Sequence, residues 1–259
     1  MTLVSVLTRA PALPSREALE RAAQQLLPGR SLDWRESSGV VTLGLDGATV
    51  RLKTIAGPVP HGEADTSAFL SLSSLNGRWR LGSHSAHLAL SLDGAMRTRP
   101  DGLLSRLSGA TREATPLERL STFTRLVAAV TKASDAVGVH WAAAPVTHAP
   151  DFFLEVAQEA PVPLPLWVGV SVTPEPGERS TLLSFGMGQL SLPELLVDAP
   201  SKELADAADF FFSALATIAE RGRPPDEGET IPRSLLSRPR VRYGPSPVTA
   251  GARVWRLSL

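Results

Sequence analysis

The sequence predicts an α+β fold in which antiparallel or mixed sheets have helices packed on one face, either as two similar lobes or as one continuous domain. Short β-branched runs separated by turn residues predict antiparallel strands, and amphipathic stretches predict helices between the groups of strands. The strict strand–helix alternation of a parallel α/β protein is missing, and no G-x-G-x-x-G or G-x-x-x-x-G-K-[ST] pattern occurs. A doubly wound nucleotide-binding fold is therefore disfavoured.

The chain opens with a strand and a helix. Residues 3–8 form a compact β-branched run, and residues 16–27 repeat Ala and Leu at three- and four-residue spacing, which predicts an amphipathic helix. Ser15 is the expected N-cap of this helix, and Pro28-Gly29 ends it. Ser-Gly and Asp-Gly turns then predict an antiparallel meander of strands at about 33–36, 40–45 and 49–55.

The middle of the chain is predicted to combine short elements with one long loop. A short helix is expected at about 63–75 and a strand at about 85–92. Residues 93–114 contain Gly, Ser, Arg and Pro without periodicity and predict a long exposed loop. Thr115-Pro116-Leu117-Glu118 has the residues of a capping box, so a helix is expected to start there and to run to about residue 136.

A proline-rich stretch divides the two predicted lobes. A strand at about 139–142 and a short helix at about 150–158 end the N-terminal lobe, 1–160. The prolines of 160–165 each remove a backbone donor, which predicts an extended connector that cannot be helical. The C-terminal lobe, 161–259, is expected to contain strands at about 166–173, 180–186, 194–198, 240–243 and 254–259, a helix at about 202–220 and a polar surface loop at 223–238.

Composition disfavours several functional classes. The 26 Lys and Arg residues balance 26 Asp and Glu residues, so no basic excess is available to bind nucleic acid. The lack of cysteine excludes disulfides, thiolate metal sites and cysteine nucleophiles, and it suits the cytoplasm. The N-terminus has no secretory signal pattern, and the most apolar later stretch, 161–173, is short and broken by proline. We therefore expect a soluble, cytoplasmic protein that binds neither nucleic acid nor membranes.

Several short motifs resemble a known bacterial family. These motifs are Pro58-Val59-Pro60, His84-Ser85-Ala86-His87-Leu88, Ala136-Val137-Gly138-Val139-His140-Trp141, Leu166-Trp167-Val168-Gly169-Val170, Phe185-Gly186-Met187-Gly188 and Leu192-Pro193-Glu194-Leu195. Together they resemble the family called domain of unknown function 4261, over most of the chain. That family has no assigned reaction, so the resemblance implies fold kinship and bacterial origin. The chain departs from the family around the short helix, where Trp79 stands alone and the family often has more tryptophans.

Histidines are the first candidates for a functional site. His84 and His87 could supply imidazole ligands to a metal ion. Three residues apart on one strand, however, their side chains would point to opposite faces, unless the strand starts at Ser85 and leaves His84 free to turn. A buried, hydrogen-bonded His87 and a strand-end His84 are therefore favoured, and no metal is expected.

A second candidate lies where His140 and Trp141 end a strand that follows a long helix, because mixed sheets often place functional side chains there. The simpler interpretation is that Trp141 caps the core. No residue is assigned a catalytic role, since the sequence has no G-x-S-x-G nucleophile elbow and its paired carboxylates are typical of solvated surfaces. The complete candidate pocket consists of His84, His87, His140, Trp141 and Glu194.

The favoured functional hypothesis is a non-enzymatic protein-binding module of the immunity or accessory type. The sequence has no recognisable set of catalytic residues and no cofactor motif, and it has long polar loops. The loops at 93–114 and 222–239 are the expected interface. The alternative is an uncharacterised enzyme or small-ligand binder that uses the candidate pocket, and a purely structural subunit is a third hypothesis. No cofactor is expected, and the sequence leaves the partner and the oligomeric state open.

Overall fold

The chain folds into two compact units, unit 1 (Met1–Leu166) and unit 2 (Trp167–Leu259). The structure is a computed structural model that describes residues 2–75, 79–98, 111–234 and 237–259. Each unit combines helices with a sheet whose strands are mostly antiparallel, so the predicted α+β class is confirmed.

The described strands of unit 1 form one large sheet and one short pair. In its described part they are β1 (Thr2–Thr8), β2 (Asp33–Ser37), β3 (Val40–Leu45), β4 (Ala48–Ile55), β5 (Ala86–Asp93), β6 (Arg97–Thr98), β7 (Arg112–Glu113), β8 (Ala136–Trp141) and β9 (Val146–His148). Seven of these strands form one antiparallel sheet in the order β2-β3-β4-β5-β1-β8-β9. The remaining two, β6 and β7, pair with each other. The predicted meander therefore forms one half of the sheet.

The helices of unit 1 have the caps that the sequence predicts. The described helices are α1 (Arg16–Leu26), α2 (Glu63–Ser67), α3 (Leu72–Leu75), α4 (Pro116–Lys132), α5 (Pro150–Glu159) and α6 (Leu164–Trp167). At the start of α1, Ser15 Oγ accepts a hydrogen bond from the Ala18 amide at 3.2 Å. At the start of α4, the Glu118 amide donates to Thr115 Oγ1, and the Thr115 amide donates to Glu118 Oε2. These bonds satisfy amides that a helix end leaves unpaired.

The two faces of the unit 1 sheet have different surroundings. Along β8, Val139 and Trp141 lie on one face, while Gly138 and His140 lie on the other, because side chains alternate along a strand. The first face, here called the helix face, packs against α4 and α5, and α1 lies beside α4. Phe123 of α4 and Trp141 are in ring contact on this face, 5.9 Å apart between centroids. The helix face therefore contains the main core.

The other face, here called the outer face, is covered by the described residues of 57–84, the covering segment. Its apolar contact with the sheet is a small cluster formed by Leu7, Val59, Ala64, Leu81 and Val137. The close fit depends on Gly138, because a Cβ atom there would lie 2.8 Å from Leu81 Cδ1. The covering segment therefore packs against the sheet where β1 and β8 pair.

The single helix predicted at 63–75 is broken in the structure. It consists of α2, a 3₁₀ turn at Ala68–Leu70 and α3. Ser71 separates the last two with extended backbone angles, φ −85° and ψ 138°. Its hydroxyl accepts a hydrogen bond from the Ser73 amide and contacts His148. Serine side chains that bond nearby backbone groups compete with helix hydrogen bonds, which explains the break.

The exposed loop predicted at 93–114 has ordered ends. Arg97 and Thr98 of β6 pair with Arg112 and Glu113 of β7, and Met96 next to this pair is buried. Residues 99–110 lie outside the described residues. The loop prediction therefore needs correction at both ends, where strand pairing replaces irregular chain.

Unit 2 is built on a mixed sheet with one long helix. Its described elements are β10 (Gly169–Glu175), β11 (Arg179–Phe185), β12 (Leu195–Pro200), α7 (Leu204–Arg221), β13 (Arg242–Pro245) and β14 (Arg253–Ser258). The strand order is β10-β11-β12-β14-β13, with β12 and β14 parallel and the other pairs antiparallel. Helix α7 packs on β11 and β12 and buries Phe211, Leu215 and Ile218. No helix in the described parts of the chain, α7 included, is long and apolar enough to cross a membrane.

The proline-rich connector contains a short helix, contrary to the prediction. Helix α6 begins at Leu164 and includes Pro165. A proline is tolerated in the first turn of a helix, because the N–H that it lacks would be unpaired there. The next strand consequently starts at Gly169 and not at about residue 166.

Candidate functional site

Three of the predicted site residues are neighbours on the outer face. His87 of β5 and His140 of β8 lie on either side of β1, where Leu7 pairs with His87 and Ser5 pairs with His140. His84 lies just before β5, outside the strand, and is close enough to influence the charge of His140. The structure therefore brings His84, His87 and His140 into one neighbourhood, here called the histidine cluster.

His87 and His140 of this cluster have partners within unit 1. His87 Nδ1 donates a hydrogen bond to the Gly57 carbonyl at 2.9 Å. His140 Nδ1 lies 2.9 Å from Thr147 Oγ1, and its Nε2 lies 3.8 Å from Glu63 Oε1. Burial lowers the pKa of His140, and this outweighs the opposite effect of the Glu63 carboxylate. His140 is therefore uncharged at neutral pH.

The side chain of His140 in the histidine cluster is buried away from solvent. This side chain is only 1% exposed, and its Nε2 atom has no hydrogen-bond partner among the described residues. A general base must come within hydrogen-bond reach of the proton that it removes, and this imidazole is not accessible to a substrate in the observed arrangement. Within the described ranges, no group of three or more His, Asp or Glu side chains is arranged to hold a metal ion.

Trp141 does not share a pocket with the histidine cluster, so that part of the pocket prediction is wrong. It follows His140 in β8 and therefore points to the helix face. Its fully buried ring lies 5.9 Å from the Phe123 ring and 6.4 Å from the Phe153 ring, between centroids. Trp141 is a residue of the main core, which is the simpler of the two interpretations that the sequence allows.

Glu194 lies in unit 2, where its carboxylate is occupied by local hydrogen bonds. Oε1 accepts from the Gly186 and Met187 amides at 2.9 and 3.0 Å, and Oε2 accepts from the Ser184 hydroxyl. Gly186 has a φ of 120°, a conformation that favours glycine. The role that these contacts indicate for Glu194 is to hold the turn that follows β11.

A buried serine–histidine pair is not evident from the sequence, because 77 positions separate its members. Ser71 Oγ donates to His148 Nδ1 at 2.7 Å, and His148 Nε2 donates to the Leu166 carbonyl at 3.3 Å. Burial lowers the pKa of His148 to about 4. Both side chains are completely buried, so a substrate could not reach the serine hydroxyl. The pair instead joins the covering segment to β9 and α6.

The covering segment also forms an apolar groove of about 600 Å³. Phe69, Trp79 and Leu81 supply its large apolar side chains, and Ala68 lies between them. Phe69 is 80% exposed, which is the highest value among the large hydrophobic side chains that the structure describes. Large apolar side chains exposed together at a groove make this surface a candidate contact site. Here it is called the Phe69 groove.

The rim of the Phe69 groove is charged. Asp65 of α2 and Arg80 line it. Among the described residues, neither Asp65 nor Arg80 has an ion-pair partner within 4.0 Å. The rim therefore offers unneutralised charge next to apolar surface. No spacing pattern in the sequence predicts this groove, because its walls come from both ends of the covering segment.

Comparison with known proteins identifies no relative of this chain: no family model, no curated protein and no solved structure matches it. The resemblance to the family called domain of unknown function 4261 therefore stays a prediction.

Proposed function

We propose that this chain is a non-enzymatic protein-binding module of the immunity or accessory type, from the bacterial family that its motifs resemble. The supporting observation is the 80% exposure of Phe69 at an apolar groove. Aromatic side chains packed into pockets often supply most of the binding energy of an interface. Burying one such side chain contributes roughly 1.5–3 kcal/mol, which makes its exposure in the free protein costly unless a partner covers it.

The proposed interface is centred on the Phe69 groove and not on the two loops expected from the sequence. In the described parts of 93–114 and 222–239 the large apolar side chains Met96 and Ile231 are buried. Residues 99–110 and 235–236 of these loops lie outside the described residues. A stable interface around the groove would bury about 1,200–2,000 Å² in total.

The charges at the rim indicate the chemistry of the partner. Asp65 places a carboxylate of α2 in the lining of the groove. We infer a protein partner that inserts an apolar side chain next to Phe69 and presents a Lys or Arg to this carboxylate. Opposite charges at the edge of an interface raise the association rate more than they raise affinity.

Affinity capture with the full-length chain tests this proposal. Wild type is compared with Phe69→Ser and with Val248→Ser, a matched control that removes another exposed apolar side chain, 61% exposed, from unit 2. A stoichiometric partner is expected to bind wild type and Val248→Ser from a lysate of the source organism and to be lost with Phe69→Ser. With that partner purified, Phe69→Ser should weaken binding at least tenfold, about 1.4 kcal/mol.

The association rate with the purified partner tests the role of the Asp65 carboxylate separately. Asp65→Asn should slow association with the purified partner and reduce the salt dependence of the rate, with a smaller effect on dissociation. Capture of no stoichiometric protein by wild type, or equal capture by wild type and Phe69→Ser, would overturn the proposed function. An unchanged association rate for Asp65→Asn would overturn the inferred chemistry of the partner alone.

A further inference from the structure

A second cavity in unit 1, away from the Phe69 groove, is lined by arginines that are far apart in the sequence. It has a volume of about 250 Å³. Arg30 reaches it from the chain after α1, Arg97 from β6 and Arg125 from α4. Arg97 lies 67 positions after Arg30, and Arg125 lies 28 positions after Arg97, so only the fold brings the three guanidinium groups together. We call this cavity the arginine pocket.

One face of α4 forms a polar wall of the arginine pocket. Ser121 and Arg125 are four residues apart and therefore lie on the same side of the helix. Glu118 and Thr122 are also four residues apart and line the pocket next to them. Hydroxyl groups and guanidinium groups are both donors that bind the oxygens of an anion. The pocket therefore offers hydrogen-bond donors from three separate elements.

The single carboxylate in the pocket is already neutralised. Glu118 Oε1 and Oε2 accept hydrogen bonds from both terminal nitrogens of Arg112, at 2.6 and 2.8 Å. This bond is the main reason that the pKa of Glu118 is lowered to about 2. Glu118 also accepts the Thr115 amide as part of the capping box. Its charge is therefore matched mainly by Arg112, and it also attracts Arg30.

Two of the three arginines have no acidic partner in the described chain. Arg30 pairs with Asp46, and Arg97 Nε donates to the neutral Thr111 hydroxyl at 3.0 Å. No described carboxylate lies within 4.0 Å of Arg97 or Arg125. Burial lowers the pKa of Arg30, repulsion from Arg125 lowers it further, and attraction to Glu118 opposes these two effects. A bound anion would relieve this repulsion.

An adjoining cavity of about 570 Å³ shares Arg30, Arg97 and Thr98 with the arginine pocket. The smaller cavity lies just below the size range of pockets for drug-sized ligands, whereas the adjoining one lies within it. A charged group could therefore occupy the arginine pocket while an attached organic group extends into the neighbouring space.

We propose that the arginine pocket binds the phosphate group of a small phosphorylated molecule or of inorganic phosphate. Glu118 is paired with Arg112, and Arg30 is paired with Asp46. Arg97 and Arg125 therefore leave two positive charges in the lining that no described carboxylate neutralises, which matches a phosphate dianion. The planar guanidinium fork suits phosphate oxygens bidentately, and Ser121 and Thr122 supply further donors. This inference is independent of the protein-binding function, because the Phe69 groove shares no lining residue with the pocket.

Calorimetric titration of the full-length chain tests the phosphate site. The probes are inorganic phosphate, glycerol 3-phosphate and, as a neutral control, glycerol, at about 0.15 M NaCl to screen non-specific attraction. Wild type is expected to bind at least one phosphate probe saturably at one site and not to bind glycerol. Tighter binding of glycerol 3-phosphate would identify an organic phosphate as the ligand, and tighter binding of inorganic phosphate would identify the free anion.

Charge-neutral variants locate the site. Arg125→Gln and Arg97→Gln should each weaken phosphate binding at least tenfold, while the control Arg21→Gln, an exposed arginine of α1 outside the pocket, should bind as wild type does. Circular dichroism checks that each variant is folded. If Arg125→Gln does not fold, Arg97→Gln tests the site, because Arg97 is exposed. No saturable binding of either phosphate probe by wild type, or wild-type affinity in both folded variants, would overturn the proposal.

Discussion

At the scale of single residues, burial decides the protonation of His148. Its completely buried imidazole has a pKa lowered to about 4 by burial, from an ordinary value of 6.5. Between these two values the unfolded chain binds a proton that the folded chain excludes. The free energy of unfolding is therefore expected to fall as the pH falls from 6.5 to 4, by up to about 1.4 kcal/mol for each pH unit.

Urea unfolding between pH 7 and pH 4 measures this dependence. His148→Gln removes the titrating group, so its stability should fall less steeply with decreasing pH than that of wild type, whatever its stability at pH 7. His61→Asn is the control, because His61 is exposed and asparagine tolerates its positive φ of 59°. If His148→Gln had the same pH slope as wild type, the assigned role of burial would be wrong.

At the scale of one element, the capping box determines where α4 starts. Thr115→Ala removes the oxygen that accepts the Glu118 amide, so the free energy of unfolding should decrease by about 1 kcal/mol. Thr115→Ser keeps a hydroxyl at the same position and should stay close to wild type. Thermal or urea unfolding of the three proteins compares them directly, and equal stability of Thr115→Ala and Thr115→Ser would contradict a stabilising cap.

At the scale of the whole molecule, each unit buries its own apolar core. The core of unit 1 includes Phe123, Trp141 and Phe153, and that of unit 2 includes Phe211 and Trp255. We expect a fragment of residues 1–166 to fold alone, with a cooperative thermal transition seen by tryptophan fluorescence. A fragment of residues 1–145 lacks β9 and α5 and should melt without such a transition. Non-cooperative melting of 1–166 would show that unit 1 depends on unit 2.

Local elements were predictable because their signals lie within a few residues. The Asp46-Gly47 turn has φ values of 52° and 85°, which Asp and Gly tolerate, and it joins β3 and β4 as the sequence predicts. The predicted helix at 63–75 is wrong in its continuity, since Ser71 contacts His148 across 77 positions. The spacing of apolar residues within one segment does not indicate a contact with a residue so far away in the sequence.

The candidate site shows the same limit. The sequence selected His84, His87 and His140, which are neighbours in the structure, but it also grouped Trp141 with them. Strand alternation separates His140 from Trp141, and this separation already follows from the strand predicted at about 139–142. The Phe69 groove and the arginine pocket have no sequence signal, because each combines short stretches that are separated along the chain.

By itself, the sequence determined the α+β class, most strands and helices, the caps of α1 and α4 and the hairpin turns. These features depend on backbone preferences and hydrogen bonds between residues close in the chain. Only the tertiary structure decided that Trp141 belongs to the main core, that Phe69 is left exposed and that Arg30, Arg97 and Arg125 line one pocket. Which face an element buries, and against what, depends on residues far away in the sequence. The hydrophobic pattern within the element does not specify those packing partners.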